Sequence, residues 1–193
     1  MEERIARILT FLEMIDPYKS IERASYLSDQ SRHETDSDHA WHMALFALML
    51  HKELDMDIDI GRVLAMISIH DLAEMITGDT FAYAEDYTDK KDELAAAEQL
   101  FVDLPSDLAE ILTGYWIEFT HGDSPEAQFA RALDRLQAMA QNVISNGLNW
   151  QENGVTEEMS RALNREALLF DPAVTSAFEE LYRRANEEGI WVT

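Results

Sequence analysis

Apolar residues recur along most of this chain at intervals of three and four positions, the spacing that places side chains on one face of a helix. The first such stripe predicts an amphipathic helix over residues 4–15, which Pro17 would end. Further helices are predicted from Ser37 or Asp38 to about residue 54 and at about 59–76, 91–103, 106–119, 125–147, 156–168 and 172–187. No segment alternates convincingly between apolar and polar residues, so the predicted fold class is all-α, a helical bundle.

Two segments lack a sustained helical pattern. Residues 21–36 are polar and irregular, and "DTFAYAEDYTDKK", residues 79–91, is acidic and aromatic, which is typical of a loop. A length of 193 residues suits one domain. We therefore expect a single domain over residues 1–193.

The composition is strongly acidic, with 38 Asp and Glu against 15 Lys and Arg and a net charge of −23 with His neutral. Such a surface repels polyanions, so nucleic acid polymers and anionic membranes are not expected as partners. A small anion held by a metal or by a few arginines is compatible with this charge. The chain has no cysteine, no uncharged apolar run of membrane-spanning length and no signal-peptide pattern, so we expect a cytoplasmic protein.

Ionisable residues interrupt the apolar segment "SIHDLAEMITGD", residues 68–79. On the predicted helix, His70 and Glu74 lie four positions apart on one face, and Asp71 can flank the same cavity. An imidazole and a carboxylate together suit a divalent transition metal, and a nearby uncoordinated Glu can position or deprotonate its water. A lone His-Asp pair, however, is more often a helix cap and a salt bridge, so further ligands are required.

Two other predicted helices supply candidates for those ligands. His39 and His42 stand near the start of one helix, and Asp134 interrupts the apolar stripe of "SPEAQFARALDRLQAMAQ" in the other. A buried carboxylate needs a partner. An arginine on another helix and a metal ion explain Asp134 equally well at this point.

The order His39, His70-Asp71, Asp134 within "SRHETDSDHAWHMALFALML", "SIHDLAEMITGD" and "SPEAQFARALDRLQ" resembles the HD-domain metal-dependent phosphohydrolases. The likeness is to the subfamily that includes the bacterial 5′-deoxynucleotidases and their eukaryotic relatives. It spans about residues 20–145, the expected catalytic core. The resemblance implies an HD-domain helical bundle in which these four residues hold one divalent cation, whether Mn, Co, Zn, Fe, Ni or Mg, and helices within residues 156–187 pack on the core.

The resemblance also implies which acids are catalytic. Glu74 would orient the attacking water, and Asp79, at a glycine-flanked turn, would protonate the leaving 5′-oxygen. Without the resemblance, Asp79 is equally a turn residue after Gly78. An aromatic residue of the following loop, such as Phe81 or Tyr83, would lie near the nucleobase.

An anionic substrate needs local positive charge in so acidic a protein. Relatives place phosphate contacts in the irregular segment before the first ligand, so we expect Arg23 and Arg32 to bind substrate, with surface salt bridges as the alternative. His42 would contact substrate or water from one turn beyond His39, or serve structure alone. Arg131 and Arg135 flank Asp134, where solvation explains them equally well.

The sequence thus predicts a hydrolase that releases phosphate from small nucleotides, above all 5′-deoxyribonucleoside monophosphates. The alternatives are an HD hydrolase acting on a nucleoside triphosphate or signalling nucleotide, and a non-catalytic metal- or nucleotide-binding module. An iron-handling helical bundle is disfavoured, because the chain contains no Glu followed three residues later by His. The long apolar run "MALFALML" and the resemblance together suggest a homodimer.

Overall fold

A computed structural model describes residues 1–78, 82–83 and 90–192 of the chain. These residues are predominantly helical, so the predicted all-α class is confirmed. The helices are α1 (Glu2–Met14), α2 (Asp36–Leu50), α3 (Ile60–Ile67), α4 (Glu74–Thr77), α5 (Lys90–Phe101), α6 (Ser106–His121), α7 (Pro125–Ile144), α8 (Leu148–Asn153), α9 (Glu157–Leu163), α10 (Arg165–Leu168) and α11 (Pro172–Glu188). None of the described helices is long and apolar enough to cross a membrane.

Helix α7 is the centre of the bundle. It begins where Ser124 accepts a hydrogen bond from the amide of Ala127 and Pro125 pre-sets the first turn. Its small and apolar residues are buried on several faces, because α2, α3, α6, α10 and α11 all pack against it. A carboxylate on this helix is therefore carried into the interior.

The chain reverses sharply after α7, which ends at Ile144 and not at the predicted residue 147. Asn146 and Gly147 both adopt positive φ, 58° and 65°. A Cβ on Gly147 would lie 2.9 Å from the Cβ of Ile190, so only glycine fits both the backbone and the space. This turn starts α8, which the sequence pattern did not predict.

The prediction of one continuous helix over residues 59–76 is wrong, because the helix is interrupted in its middle. Helix α3 ends at Ile67 and α4 begins at Glu74, and residues 68–73 between them form tight turns. The break lies at the seam of two apolar clusters: the residues before it pack around α7, whereas Ile69 and Leu72 pack against Trp116 and residues of α5. The break therefore places His70 and Asp71 between the two apolar clusters.

The prediction of an irregular segment over residues 21–36 is also wrong. Strands β1 (Glu22–Tyr26) and β2 (His33–Thr35) pair antiparallel with an irregular register, and Thr35 caps α2. Thr35 and Asp38 form a reciprocal capping box, so Asp38 is the third residue of the helix and not its cap. The hairpin contacts α7 and α8 and so carries its side chains toward the centre of the bundle.

The C-terminal helices pack on α7, and the predicted helix over residues 156–168 is divided into α9 and α10 at Asn164. Phe178 of α11 is fully buried in the cluster around α7. If the chain is a single domain, as predicted, a cavity in this cluster should destabilise the whole protein.

We expect Phe178→Ala to lower the free energy of unfolding by about 3–5 kcal/mol, because the truncation leaves a cavity in the core. Leu169→Ala is the control, since this apolar side chain is 77% exposed and its removal should change stability by less than about 0.5 kcal/mol. Urea unfolding followed by tryptophan fluorescence and circular dichroism measures both. Two separate transitions in the parent protein would contradict a single domain.

Candidate metal centre and active site

Helices α2 and α7 bring two of the predicted ligands together. The imidazole of His39 is completely buried, and its Nε2 lies 3.1 Å from Oδ1 of Asp134. This contact spans 95 positions of sequence, so it depends on the packing of the two helices.

The turn between α3 and α4 presents the other two predicted ligands. His70 Nδ1 lies 2.8 Å from the carbonyl oxygen of Ile67, and the indole Nε1 of Trp116 donates to the carbonyl oxygen of His70 at 3.1 Å. The first contact positions the His70 ring, and the second positions its backbone. The remaining ring nitrogen, Nε2, lies 3.0 Å from Oδ2 of Asp71.

The four side chains His39, His70, Asp71 and Asp134, called the ligand cluster below, have the donor set of a divalent metal site. Ligand atoms of His39, His70 and Asp71 lie within 4.8 Å of one another. Among the described residues, no group meets hydrogen-bond geometry at the buried His70 Nε2, although Oδ2 of Asp71 lies 3.0 Å away. Two imidazoles and two carboxylates suit a divalent transition metal, and the residues present fit one.

The electrostatics of the ligand cluster favour positive charge. Burial disfavours the charged form of Asp71, yet His70 and Arg23 hold its pKa below the usual range. Burial is likewise outweighed at Asp134, where the hydrogen bond with His39 holds the pKa below its usual range. Burial by itself lowers the pKa of His70, but the Asp71 carboxylate raises it overall. A bound cation would therefore compete with the proton on the His70 ring.

Arg23, on the hairpin, reaches the ligand cluster. Its Nη1 donates to Oδ2 of Asp71 at 2.8 Å and to Oδ1 of Asp36 at 3.1 Å. Asp36, the first residue of α2, is fully buried, and Tyr18 donates to its carbonyl oxygen. The sequence analysis missed Asp36, which looks like an ordinary acidic residue in the first turn of a helix.

Described residues line a cleft of about 740 Å³ beside the ligand cluster, called the large cleft below. Its volume lies within the range of about 300–1,000 Å³ typical of small-molecule sites. Its walls include Glu74. Carboxylate oxygens of Asp36, Asp71 and Glu74 lie within 4.8 Å of one another. Arg135 and Arg165 supply positive charge to the same walls.

Arg131 also lines the large cleft, but its guanidinium is engaged in structure. It donates to the carbonyl oxygens of Phe119 and Gly122, at 2.6 and 2.8 Å, and so fastens the connection between α6 and α7. A second, smaller cleft is lined by Arg23, Tyr83 and Arg135 together with polar residues of α7 and α8. Arg23 and Arg135 therefore line this smaller cleft. Arg23 also contacts the ligand cluster through Asp71, and Arg135 also lines the large cleft.

The structure does not bring every predicted site residue to the ligand cluster. Arg32 is exposed and donates to Asp38 at 2.6 Å, and among the described residues it lines neither cleft. His42 is partly buried between Phe46 and Gln137, and burial lowers its pKa. It lines neither cleft either. Asp79 and Phe81 lie outside the described residues.

Two further buried polar residues approach the ligand cluster and were missed by the sequence analysis. Gln137 contacts His39 Nδ1, and Glu34 of β2 contacts Gln137. The signal for Gln137 was its spacing, since it follows Asp134 by three positions on one face of α7. Glu34 gave no such signal, because its segment was interpreted as irregular.

Comparison with known proteins places this arrangement in a family. The family model described as "HD domain" matches residues 15–169. The 5′-deoxynucleotidase HDDC2 of Bos taurus is 31% identical over 145 residues, which cover 73% of this chain and 69% of that protein. The 5′-deoxynucleotidase HDDC2 of Homo sapiens is 30% identical over 138 residues, which cover 69% of this chain and 66% of that protein.

A solved structure gives a fuller match. The crystal structure of a predicted metal-dependent phosphohydrolase from Magnetospirillum magnetotacticum MS-1 superimposes with a TM-score of 0.90 at 34% identity. It covers 98% of this chain and 96% of that one. The clustered histidines and aspartates, the helical bundle around α7 and these matches agree: the chain belongs to the HD domain family.

Proposed function

We propose that this protein is a metal-dependent phosphohydrolase that releases phosphate from 5′-deoxyribonucleoside monophosphates. The observation that carries the proposal is the convergence of ligand atoms from His39, His70 and Asp71, within 4.8 Å of one another, beside the large cleft. The names of the relatives, 5′-deoxynucleotidase and metal-dependent phosphohydrolase, support the same reaction class.

The ligand cluster would hold one divalent cation. When bound, such a cation supplies Lewis-acid chemistry at the phosphate and makes water more acidic. Its positive charge also offsets the net charge of −23 that would otherwise repel an anionic substrate.

The remaining residues act on substrate and water. Glu74, at the wall of the large cleft and near Asp71, orients a water molecule and accepts its proton. Arg23 and Arg135 are placed to hold phosphate oxygens, because they line the smaller cleft beside the ligand cluster. We propose Asp79 as the acid that protonates the leaving 5′-oxygen, with its position outside the described residues.

Substrate contacts by Arg32 and His42 stay predictions. Arg32 would have to exchange its bond with Asp38 for the phosphate. His42, held by Gln137, would act through neighbouring water. We further propose a cytoplasmic homodimer; a monomeric mass by light scattering at micromolar concentration would contradict the dimer.

The metal assignment predicts stoichiometric binding. We expect one divalent cation per chain in the parent protein and a large loss of affinity in Asp134→Ala, because one of four ligands is removed. The control is Asp123→Ala, an exposed acid that also lines the large cleft. Plasma emission analysis after loading and desalting measures the content. Full occupancy in Asp134→Ala would contradict the four-ligand site.

The catalytic assignment predicts that Glu74→Gln keeps its metal but hydrolyses deoxynucleoside monophosphates about 10²–10⁴-fold more slowly, because the variant retains shape and loses the base. Glu166→Gln is the matched control, since Glu166 is exposed on the wall of the same cleft and should turn over like the parent. Asp79→Ala is expected to behave like Glu74→Gln.

The products of the parent enzyme separate the candidate functions. Nucleoside and orthophosphate from a monophosphate are the expected products. Pyrophosphate or triphosphate from a more highly phosphorylated nucleotide would favour another HD reaction, and metal and nucleotide binding without any product would favour a binding module. Unchanged turnover in both acid variants would make these acids structural.

A further inference from the structure

A line of buried polar side chains runs from the second ring nitrogen of His39 into the hairpin. We propose that Gln137 and Glu34 are positioning residues, which together hold the His39 imidazole in the tautomer that presents Nε2 to the metal. The inference rests on the metal site of the proposed function and deepens it.

The contacts form one continuous path. His39 Nδ1 is hydrogen-bonded to Oε1 of Gln137, and Gln137 Nε2 donates to Oε1 of Glu34 at 2.7 Å. The second oxygen of Glu34 accepts a hydrogen bond from Ser25 Oγ at 2.8 Å. His39 and Gln137 are fully buried and Glu34 is 1% exposed, so water does not compete for these groups.

The chemistry of the groups determines the direction of each bond. A carboxylate only accepts, so the amide nitrogen of Gln137 must face Glu34 and its oxygen must face His39. An amide oxygen also only accepts, so the proton of a neutral His39 ring must reside on Nδ1. Nε2, which lies 3.1 Å from Oδ1 of Asp134, is then the nitrogen left to bind a metal, in place of any proton that it shares with that carboxylate.

The orientation of the Gln137 amide is secured by its second hydrogen. Gln137 Nε2 lies 3.2 Å from Nδ1 of His42, which accepts that hydrogen when its own proton is on Nε2. Both donors and the acceptor of Gln137 are thereby used. A flipped amide would set its oxygen against Glu34 and its nitrogen against a donor, so one orientation is strongly preferred.

His70 obtains the same tautomer in a different way. Its Nδ1 faces the backbone carbonyl of Ile67, a partner that no side-chain substitution removes. Nδ1 of His39, by contrast, faces a side chain, and this makes the inference testable by mutation.

The first experiment compares two buried glutamines of one helix. Gln141 lies one turn beyond Gln137 on α7, is 3% exposed and donates to the carbonyl oxygen of Tyr26 at 2.6 Å, without contacting His39. We expect Gln137→Leu to raise the dissociation constant for Mn²⁺ about 10–100-fold, the usual effect of losing a partner of a metal-bound histidine. Gln141→Leu should bind as the parent does. Electron paramagnetic resonance titration of metal-free protein with MnCl₂ measures the affinity.

A swapped pair separates positioning from general destabilisation. Gln137→Glu alone places two carboxylates together and should weaken Mn²⁺ binding at least as much as Gln137→Leu. The double variant Glu34→Gln with Gln137→Glu restores an acceptor opposite His39 and a donor between the two residues. We expect it to recover most of the parent affinity, whereas a loss as large as in the single variant would overturn the inference.

The tautomer itself is read in metal-free protein labelled with ¹⁵N-histidine. Long-range ¹H–¹⁵N correlation should show Nδ1 of His39, identified by its disappearance in His39→Gln, as protonated in the parent and in Gln141→Leu, whether or not Nε2 also shares a proton with Asp134. In Gln137→Leu the ring should lose the Nδ1 proton and become the Nε2–H form that Asp134 favours. A fully protonated Nδ1 in Gln137→Leu, or an unprotonated Nδ1 in the parent, would overturn the inference. A parent that binds Mn²⁺ but hydrolyses no nucleotide would instead contradict the proposed function. The protonation state of His39 would still test the role of Gln137 and Glu34.

Discussion

The compensation of buried charge beside α7 is the constraint on which the rest of the structure depends. Asp71 and Asp134 are largely buried carboxylates on the wall of the large cleft, and a carboxylate there needs cationic or hydrogen-bonding partners. The two histidines and Arg23 supply those partners, and each comes from a different element. The packing of α2 on α7, the turn before α4 and the hairpin therefore all serve one cluster.

Local irregularities of the fold bring these charged groups together. Residues 68–73 leave the helical path because apolar side chains on either side of His70 pack into two different clusters. Trp116, in the second cluster, donates to the backbone of His70, so packing of the core also positions this predicted ligand. The hairpin works similarly: Ser25 and Glu34 point inward toward α7, and Arg23 reaches the ligand cluster.

The distribution of arginines fits a site built for a small anion. Arg131 donates to a carbonyl oxygen near the end of α6, and Arg32 donates to Asp38 at the surface. Arg23 and Arg135 instead line the smaller cleft next to the ligand cluster. In a chain of net charge −23, positive charge concentrated beside the ligand cluster attracts a small anion to that place. The same acidity disfavours long polyanions.

The sequence by itself determined the helical class and the residues with metal-binding chemistry, because helical periodicity and residue type are local properties. The order of His39, His70-Asp71 and Asp134 was readable for the same reason. The hairpin, the break after Ile67 and the contacts of Asp36, Glu34 and Gln137 were not readable. These features arise from groups up to 103 positions apart, whose pairing depends on burial and on the hydrogen-bond partners that buried polar groups require. Only the tertiary structure decides which partners meet.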